Sequence, residues 1–150
     1  MTTCRIRVVR DTPSTGAYEW AIMDGKQAVL DSGAAPLRQP PGGACELLIA
    51  NDLVLLDRIP APAAQQRRIA SALRFLVEDS AIPDPERLHV AAAGASARDT
   101  VSVGIVDRQW MEQMLARLER AGLVARSAYP ESLLPDLLPR AWTVVWNADG

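Results

Sequence analysis

Histidine is nearly missing from this 150-residue chain: His89 is the only one, and the cysteines are limited to Cys4 and Cys45. Those two cysteines lie far apart in sequence, with no CxxC pair and no histidine-rich tract beside them, so their spacing supports neither a zinc site nor a disulfide framework. Reduced, buried thiols and no bound metal are expected. A basic excess is also missing. Sixteen Lys and Arg stand against eighteen Asp and Glu, a formal net charge of −2, which argues against a general binder of nucleic acid or of anionic membranes. The opening residues MTTCRIRVVRD contain no long apolar run, because charges interrupt it. That excludes a cleavable signal peptide or a membrane-spanning helix at this end and predicts a cytoplasmic location.

What is present suffices for a core. Hydrophobic residues make up 49% of the chain, enough for one ordinary domain or two small packed lobes. Residues 4 to 10 (CRIRVVR) and 18 to 24 (YEWAIMD) read as strands, and Asp24-Gly25 marks a tight turn into a third, 27 to 31. The stretch 32 to 43, with Pro36, Pro40, Pro41 and two glycines, reads as a connector. Residues 45 to 52 (CELLIAND) carry the run Leu47-Leu48-Ile49, the signature of a strand buried on both faces, and Asn51-Asp52 turns the chain into a further strand, 53 to 59.

After Pro60 and Pro62, residues 63 to 79 read as an amphipathic helix. Ile69, Leu73, Leu76 and Val77 form its apolar stripe, and Arg67, Arg68, Arg74 and Glu78 lie mainly away from it. Strands at 88 to 92 and 100 to 106 flank the small residues 94 to 99 and suit an antiparallel hairpin, so residues 53 to 106 form a β-α-β-β unit. Asp107 stands at an N-cap position, Met111, Met114, Leu115 and Leu118 follow as a helical stripe, and Gly122 suits a left-handed C-cap. Beyond lie a strand at 123 to 129, a short helix at 131 to 138 and an apolar strand at 142 to 146, close enough to the last residue to predict a cut at a lobe boundary.

The stretch VLLDRIPAPAAQQRRIASALRFLVEDSAIPDPERLHVAAAG (54 to 94), continued by VSVGIVDRQWMEQMLARLERAGLVARSAYPESLLP (101 to 135), resembles the protein L family of type II secretion systems. The matching features are an apolar strand, a proline-bearing turn, an amphipathic helix with an acidic end and a Leu-His-Val strand. Then come Val-Asp-Arg-x-Trp, a helix, Ala-Gly-Leu and Pro-Glu-x-Leu, in the same order and spacing. The resemblance covers about half of the chain and implies a mixed α/β, actin-like first lobe. Residues 1–52 would open the lobe, 53–106 would be the inserted module, 107–140 would complete the lobe, and 141–150 would start a truncated second lobe.

It further implies a non-catalytic cytoplasmic scaffold of the inner-membrane platform. That scaffold would recruit the secretion ATPase through the ATPase's N-terminal domain, beside other platform proteins. The rest of the protein would add a second lobe, one membrane-spanning helix and a periplasmic domain. Arg67, Arg68, Arg74, Glu78 and Asp79 are the candidate partner contacts, although the arginines equally suit a plain solvated face. Arg74 and Glu78, four residues apart, can simply pair with each other.

The competing reading is an actin-like nucleotide switch of the pilus-assembly or cell-division type. Such proteins hold phosphates in hairpin loops, typically Asp-x-Gly, through backbone amides. Here the first loop reads Asp11-Thr12-Pro13-Ser14-Thr15-Gly16, where Pro13 removes a donor and the glycine comes late, so a solvated turn and no nucleotide cofactor are expected. His89, inside a strand, reads as a packed structural histidine rather than a base. Ser96 lies in Gly-Ala-Ser-Ala, without the Gly-x-Ser-x-Gly of a nucleophile elbow. Glu78-Asp79 and Asp84-Glu86 read as solvated acids rather than a catalytic pair, so no catalytic residue is assigned. Trp142 and Trp146, on one side of a strand without a partner, predict a homodimer or strand exchange at high concentration.

Overall fold

The computed structural model describes residues 2–35, 44–60, 84–92, 100–135 and 140. The chain opens with three strands in a meander, β1 (Thr3–Val8), β2 (Glu19–Met23) and β3 (Val29–Ala34). β1 shows the alternation that period-2 geometry requires of a sheet covered on one side: Cys4, Ile6 and Val8 are buried, and Arg5 and Arg7 point to the opposite face. The turn into β3 is a three-residue loop rather than a tight Asp-Gly turn. The Asp24 carboxylate accepts the Lys26 and Ala28 amides at 2.8 and 2.9 Å, and Gln27 rather than Gly25 takes the left-handed conformation, at φ 66°. β3 also runs on to Ala34, into the stretch read as connector. Gly33 permits this, because a Cβ there would meet the Trp20 ring at 2.8 Å, and Trp20 Nε1 donates to the Ala34 carbonyl at 3.1 Å.

β4 (Cys45–Ile49) pairs in parallel with β1, and a 3-10 turn at Asn51–Leu53 leads to β5 (Leu55–Pro60). β4 is fully buried on one face only. Cys45, Leu47 and Ile49 face the core, while Glu46 and Leu48 are half-buried on the other side, where Glu46 pairs with Arg5 at 3.0 Å. β6 (Leu88–Ala92) and β7 (Thr100–Asp107) are antiparallel neighbours, and β5 lies on the other side of β7, giving a three-stranded sheet in the order β5-β7-β6. The helix expected at 63 to 79 and the turn expected at 94 to 99 lie outside the described residues.

Among the described residues two α-helices occur, the single turn α1 (Thr12–Thr15) and the longer α2 (Arg108–Arg120). Both ends of α2 carry their own stop signs. The Asp107 carboxylate accepts the Trp110 amide at 2.8 Å, the side-chain cap that satisfies a donor left over at the helix start. At the far end the Leu123 amide reaches the Leu118 carbonyl and the Gly122 amide reaches Glu119, both at 2.9 Å, with Gly122 at φ 76°: a Schellman motif. The inward stripe is Met111, Met114 and Leu118, whereas Leu115 is an exposed residue on the flank of the stripe and not part of it.

β8 (Ala125–Pro130) pairs in parallel with β4 and ends the five-stranded sheet β3-β2-β1-β4-β8. A 3-10 turn at Glu131–Leu133 follows where a short helix to 138 was expected. The main core joins the inward face of this sheet to α2, and Val106 of β7 belongs to it. Arg108 donates to the Leu88 carbonyl through Nε and a terminal nitrogen, at 3.3 and 3.0 Å, and so ties the start of α2 to β6. A second, smaller core holds Ile59, Val101, Val103 and Ile105 on one face of the three-stranded sheet.

Candidate functional site

The β1–β2 connection occupies the position where an actin-like protein would hold a phosphate. It is an exposed turn with one anchor: Asp11, Ser14, Thr15 and Ala17 are exposed, while Thr12 is fully buried and opens the helical turn α1. The Thr12 hydroxyl accepts the Val9 amide at 2.9 Å, and the Thr12 amide returns to the Val9 carbonyl at 3.0 Å. Ser14 and Thr15 amides both bond the Asp11 carbonyl, at 3.1 and 2.9 Å, the Gly16 amide bonds that of Thr12 at 2.8 Å, and the Ala17 amide bonds the Thr15 hydroxyl at 3.1 Å. With Pro13 lacking an amide, every backbone donor from residue 12 to 17 is spent inside the turn, and a phosphate cradle needs free ones.

The five candidate contact residues, Arg67, Arg68, Arg74, Glu78 and Asp79, lie outside the described residues, as do Ser96, Trp142 and Trp146. His89 is exposed on β6, not packed, because the two-residue period that turns Leu88 and Val90 toward the small core turns it outward. Asp84 and Glu86 are exposed, and the Asp84 carboxylate accepts the Glu86 amide at 3.2 Å. Trp20 and Trp110 pack against the main core, and Trp110 Nε1 also donates to the Arg10 carbonyl at 3.0 Å.

Cys4 and Cys45 are free and buried, as their spacing suggested, and they are also register partners on β1 and β4. Burial pushes both thiols up, Cys45 to about 11 with a smaller contribution from the neighbouring Cys4. Among the described residues no group of three or more His, Cys, Asp or Glu is placed to hold a metal ion, and no helix is long and apolar enough to cross a membrane.

A further concavity lies apart from the residues singled out from sequence. It is a groove of about 670 Å³ between the open face of the small sheet and the end of β8. From the small sheet come Leu56 and Arg58 of β5, Ser102 and Gly104 of β7 and Ala91 of β6, and across from them stand Tyr129, Pro130 and Leu133. Register explains the first set: Leu56 and Ala91 both pair with Gly104, and Arg58 pairs with Ser102, so all five share one face.

The opposite wall is pinned in place. Arg7, on the outward face of β1, pairs with Glu131 of the 3-10 turn and with Glu19 of β2, the latter at 3.3 Å, and these carboxylates raise its pKa, the hydrogen bond to Glu131 most. The Asn51 side-chain oxygen accepts the Ser132 amide at 2.8 Å. One sequence hint existed in Tyr-Pro-Glu-Ser-Leu-Leu-Pro (129 to 135), where large apolar residues stand between prolines in a turn with little room to bury them.

A five-stranded mixed sheet with one reversed meander strand, backed by a helix and joined to a smaller three-stranded sheet, defines the class: a mixed α/β protein with the first lobe of an actin-like fold. Structural comparison agrees. The cytoplasmic domain of EpsL, an inner membrane component of the type II secretion system of Vibrio cholerae, superposes with a TM-score of 0.70 at 21% identity, over 91% of this chain and 60% of that one. A chain of the PilM-PilN type IV pilus biogenesis complex follows at 0.61 and 17% identity, over 87% of this chain and 47% of that one.

The family model for type II secretion system (T2SS), protein L, matches residues 13–149, and the chain belongs to that family. It is similar to type II secretion system protein L of Vibrio cholerae, 31% identical over 58% of this chain and 21% of the relative. It is also similar to that of Pseudomonas aeruginosa, 28% identical over 80% and 30%, and to that of Dickeya chrysanthemi, 21% identical over 93% and 36%. The chain thus spans about a fifth to a third of the length of these curated relatives.

Proposed function

We propose that this chain is a cytoplasmic docking module of the type II secretion inner-membrane platform, and that it recruits the secretion ATPase through that enzyme's N-terminal domain and couples it to the membrane. The observation that carries the reading is the family match over residues 13–149. The amide pattern of residues 12 to 17 favours docking over a nucleotide switch, since the first phosphate loop has no free donors to offer. The proposal keeps Arg67, Arg68, Arg74, Glu78 and Asp79 as ATPase contacts, within a surface of about 800 Å² per partner. It keeps residues 53 to 106 as a module inserted into the lobe, and leaves the membrane anchor, second lobe and periplasmic domain to the remainder of the protein.

Isothermal titration tests it. The chain is titrated with the N-terminal domain of the secretion ATPase and, separately, with Mg-ATP. Saturable heat with the domain and none with nucleotide is the expected result. Binding of Mg-ATP without the domain would replace docking by the nucleotide switch.

A further inference from the structure

ATPase docking leaves Cys4 and Cys45 unused, yet the fold sets them side by side. They are register partners on the parallel strands β1 and β4. Residues 4, 6 and 8 of β1 and 45, 47 and 49 of β4 are the buried ones, so both strands turn their cysteine to the inward face. The two thiols therefore project from neighbouring strands in the same direction. Adjacent strands lie about 4.8 Å apart, inside the Cα separation of roughly 4.4–6.8 Å that a disulfide spans. The parallel pairing alone supplies this proximity, because the two residues stand far apart in sequence.

Their place along the strands matters as much. Cys4 is the second residue of β1 and Cys45 the first of β4, so both stand at one end of the five-stranded sheet. One residue further out the cover is thin: Thr2 is exposed, Thr3 and Ala44 are half-buried, and Val124 is 58% exposed. The Val124 carbonyl holds Cys45 in place, accepting its amide at 2.9 Å and its thiol at 3.5 Å. Strand ends fray at far smaller cost than whole sheets unfold. Parting β1 from β4 at this end uncovers both sulfurs while Leu47, Ile49, Met114 and Leu118 stay in the core. In the closed sheet burial keeps both groups protonated, and it is the thiolate that attacks a disulfide. Opening is therefore the step that makes the pair reactive.

We infer that Cys4 and Cys45 form a reversible oxidation site, closed by a small-molecule disulfide of the glutathione class. The thiolate of one cysteine attacks a sulfur of that disulfide, forming a mixed disulfide and releasing one small thiolate. The thiolate of the other cysteine then attacks the protein-bound sulfur, forms the Cys4–Cys45 bond and expels the second small thiolate. The two protons given up by the cysteines end on the released thiolates. One protein dithiol and one small disulfide thus become one protein disulfide and two small thiols. In a reducing compartment the pair rests reduced, and a shift of the thiol–disulfide poise closes it, as in transient, redox-sensing disulfides. Closure ties β1 to β4 and shuts β2 and β3 into a loop that the unfolded chain can no longer extend. The site is separate from the proposed ATPase contacts at residues 67 to 79, and failure of the ATPase titration would leave it standing.

The test incubates the whole, unsubstituted chain without denaturant in glutathione buffers of rising oxidised fraction, then quenches with acid, alkylates and maps the peptides by mass spectrometry. The expected product is a peptide pair joining Cys4 to Cys45, lighter by two hydrogen atoms and returned to free thiols by dithiothreitol. Cys4→Ala and Cys45→Ala should each stop at the glutathione adduct, which in the original chain is only transient. The closed chain should unfold at higher urea than the reduced chain, a shift that dithiothreitol removes. The inference is overturned if the folded chain stays reduced after several hours in fully oxidised glutathione while the urea-unfolded chain reacts. It is equally overturned by an adduct on the original chain that never resolves, by a disulfide that links two chains, or by a closed chain whose urea midpoint does not move, since the bond would then tie nothing.

Discussion

The two sheets solve the same burial problem to different extents. In the five-stranded sheet three inward residues of β1 and three of β4 are buried beneath Met111, Met114 and Leu118 of α2, and the outward face is laced by Arg5–Glu46 and by Arg7 with Glu19 and Glu131. Among the described residues the three-stranded sheet buries four on one face, and on its other face Val106 joins the main core while Gly104 and Ser102 line the groove. A sheet closed on one face and tied by charges on the other suits a scaffold, whereas a sheet held at one end with small residues exposed at the other suits a surface that meets something else.

The sharpest way to break that division is to cut into each core. Leu118 is 1% exposed and Val101 2%. Leu118→Ala should lower stability by roughly 2–5 kcal/mol in urea unfolding, and Val101→Ala by about 2 kcal/mol or less, in line with two fewer buried carbons. The reverse order would mean that the small sheet carries the fold and the large one does not.

Alkali should act on the large sheet alone among described thiols, since Cys4 and Cys45 both belong to it. Their folded-state pKa values are raised, Cys45 from 9.0 to about 11. Well below pH 9 both thiols are protonated in folded and unfolded chains and add no pH dependence. As pH rises from 9 toward 11 the unfolded chain loses protons that the folded chain keeps, so stability falls, by at most about 1.4 kcal/mol per pH unit for each thiol. Cys45→Ala should flatten that fall in urea titrations between pH 8.5 and 10.5. An unchanged slope would place the alkaline loss in other groups.

Much of the scaffold was legible in sequence because its signals are local. The β1 alternation, the Asp107 cap and the Gly122 stop each lie within a few residues of what they specify. The turn α1 was missed because Thr-Pro-Ser-Thr reads as loop unless the Thr12 side chain is known to be buried. The pairing of Cys4 with Cys45 depends on strand neighbours 41 residues apart, which no spacing rule encodes. The exposure of His89 followed from a face assignment that composition cannot make. The groove left no more than the hint at 129 to 135, for the same reason in stronger form: Leu56, Ala91, Gly104 and Leu133 come from four separate segments and meet only after both sheets are built. The contact residues proposed from sequence, Arg67 through Asp79, lie outside the described residues and rest on the docking reading alone.

The smallest effect concerns the two aspartates that stand at helix starts, one in each half of the comparison. Asp107 closes β7 of the small sheet and caps α2 of the large core, with its carboxylate on the Trp110 amide at 2.8 Å. Asp11 precedes α1 but makes no side-chain cap, and its backbone carbonyl alone accepts the Ser14 and Thr15 amides. Truncation should therefore discriminate between them. Asp107→Ala leaves a helix-terminal donor without its acceptor and should cost about 1 kcal/mol, while Asp11→Ala, which removes no cap, should stay within about 0.5 kcal/mol. Thermal melts of the two variants side by side decide it. Equal losses would show that the Asp11 carboxylate also holds its turn together, and the β1–β2 connection would then depend on a side chain as well as on its own backbone amides.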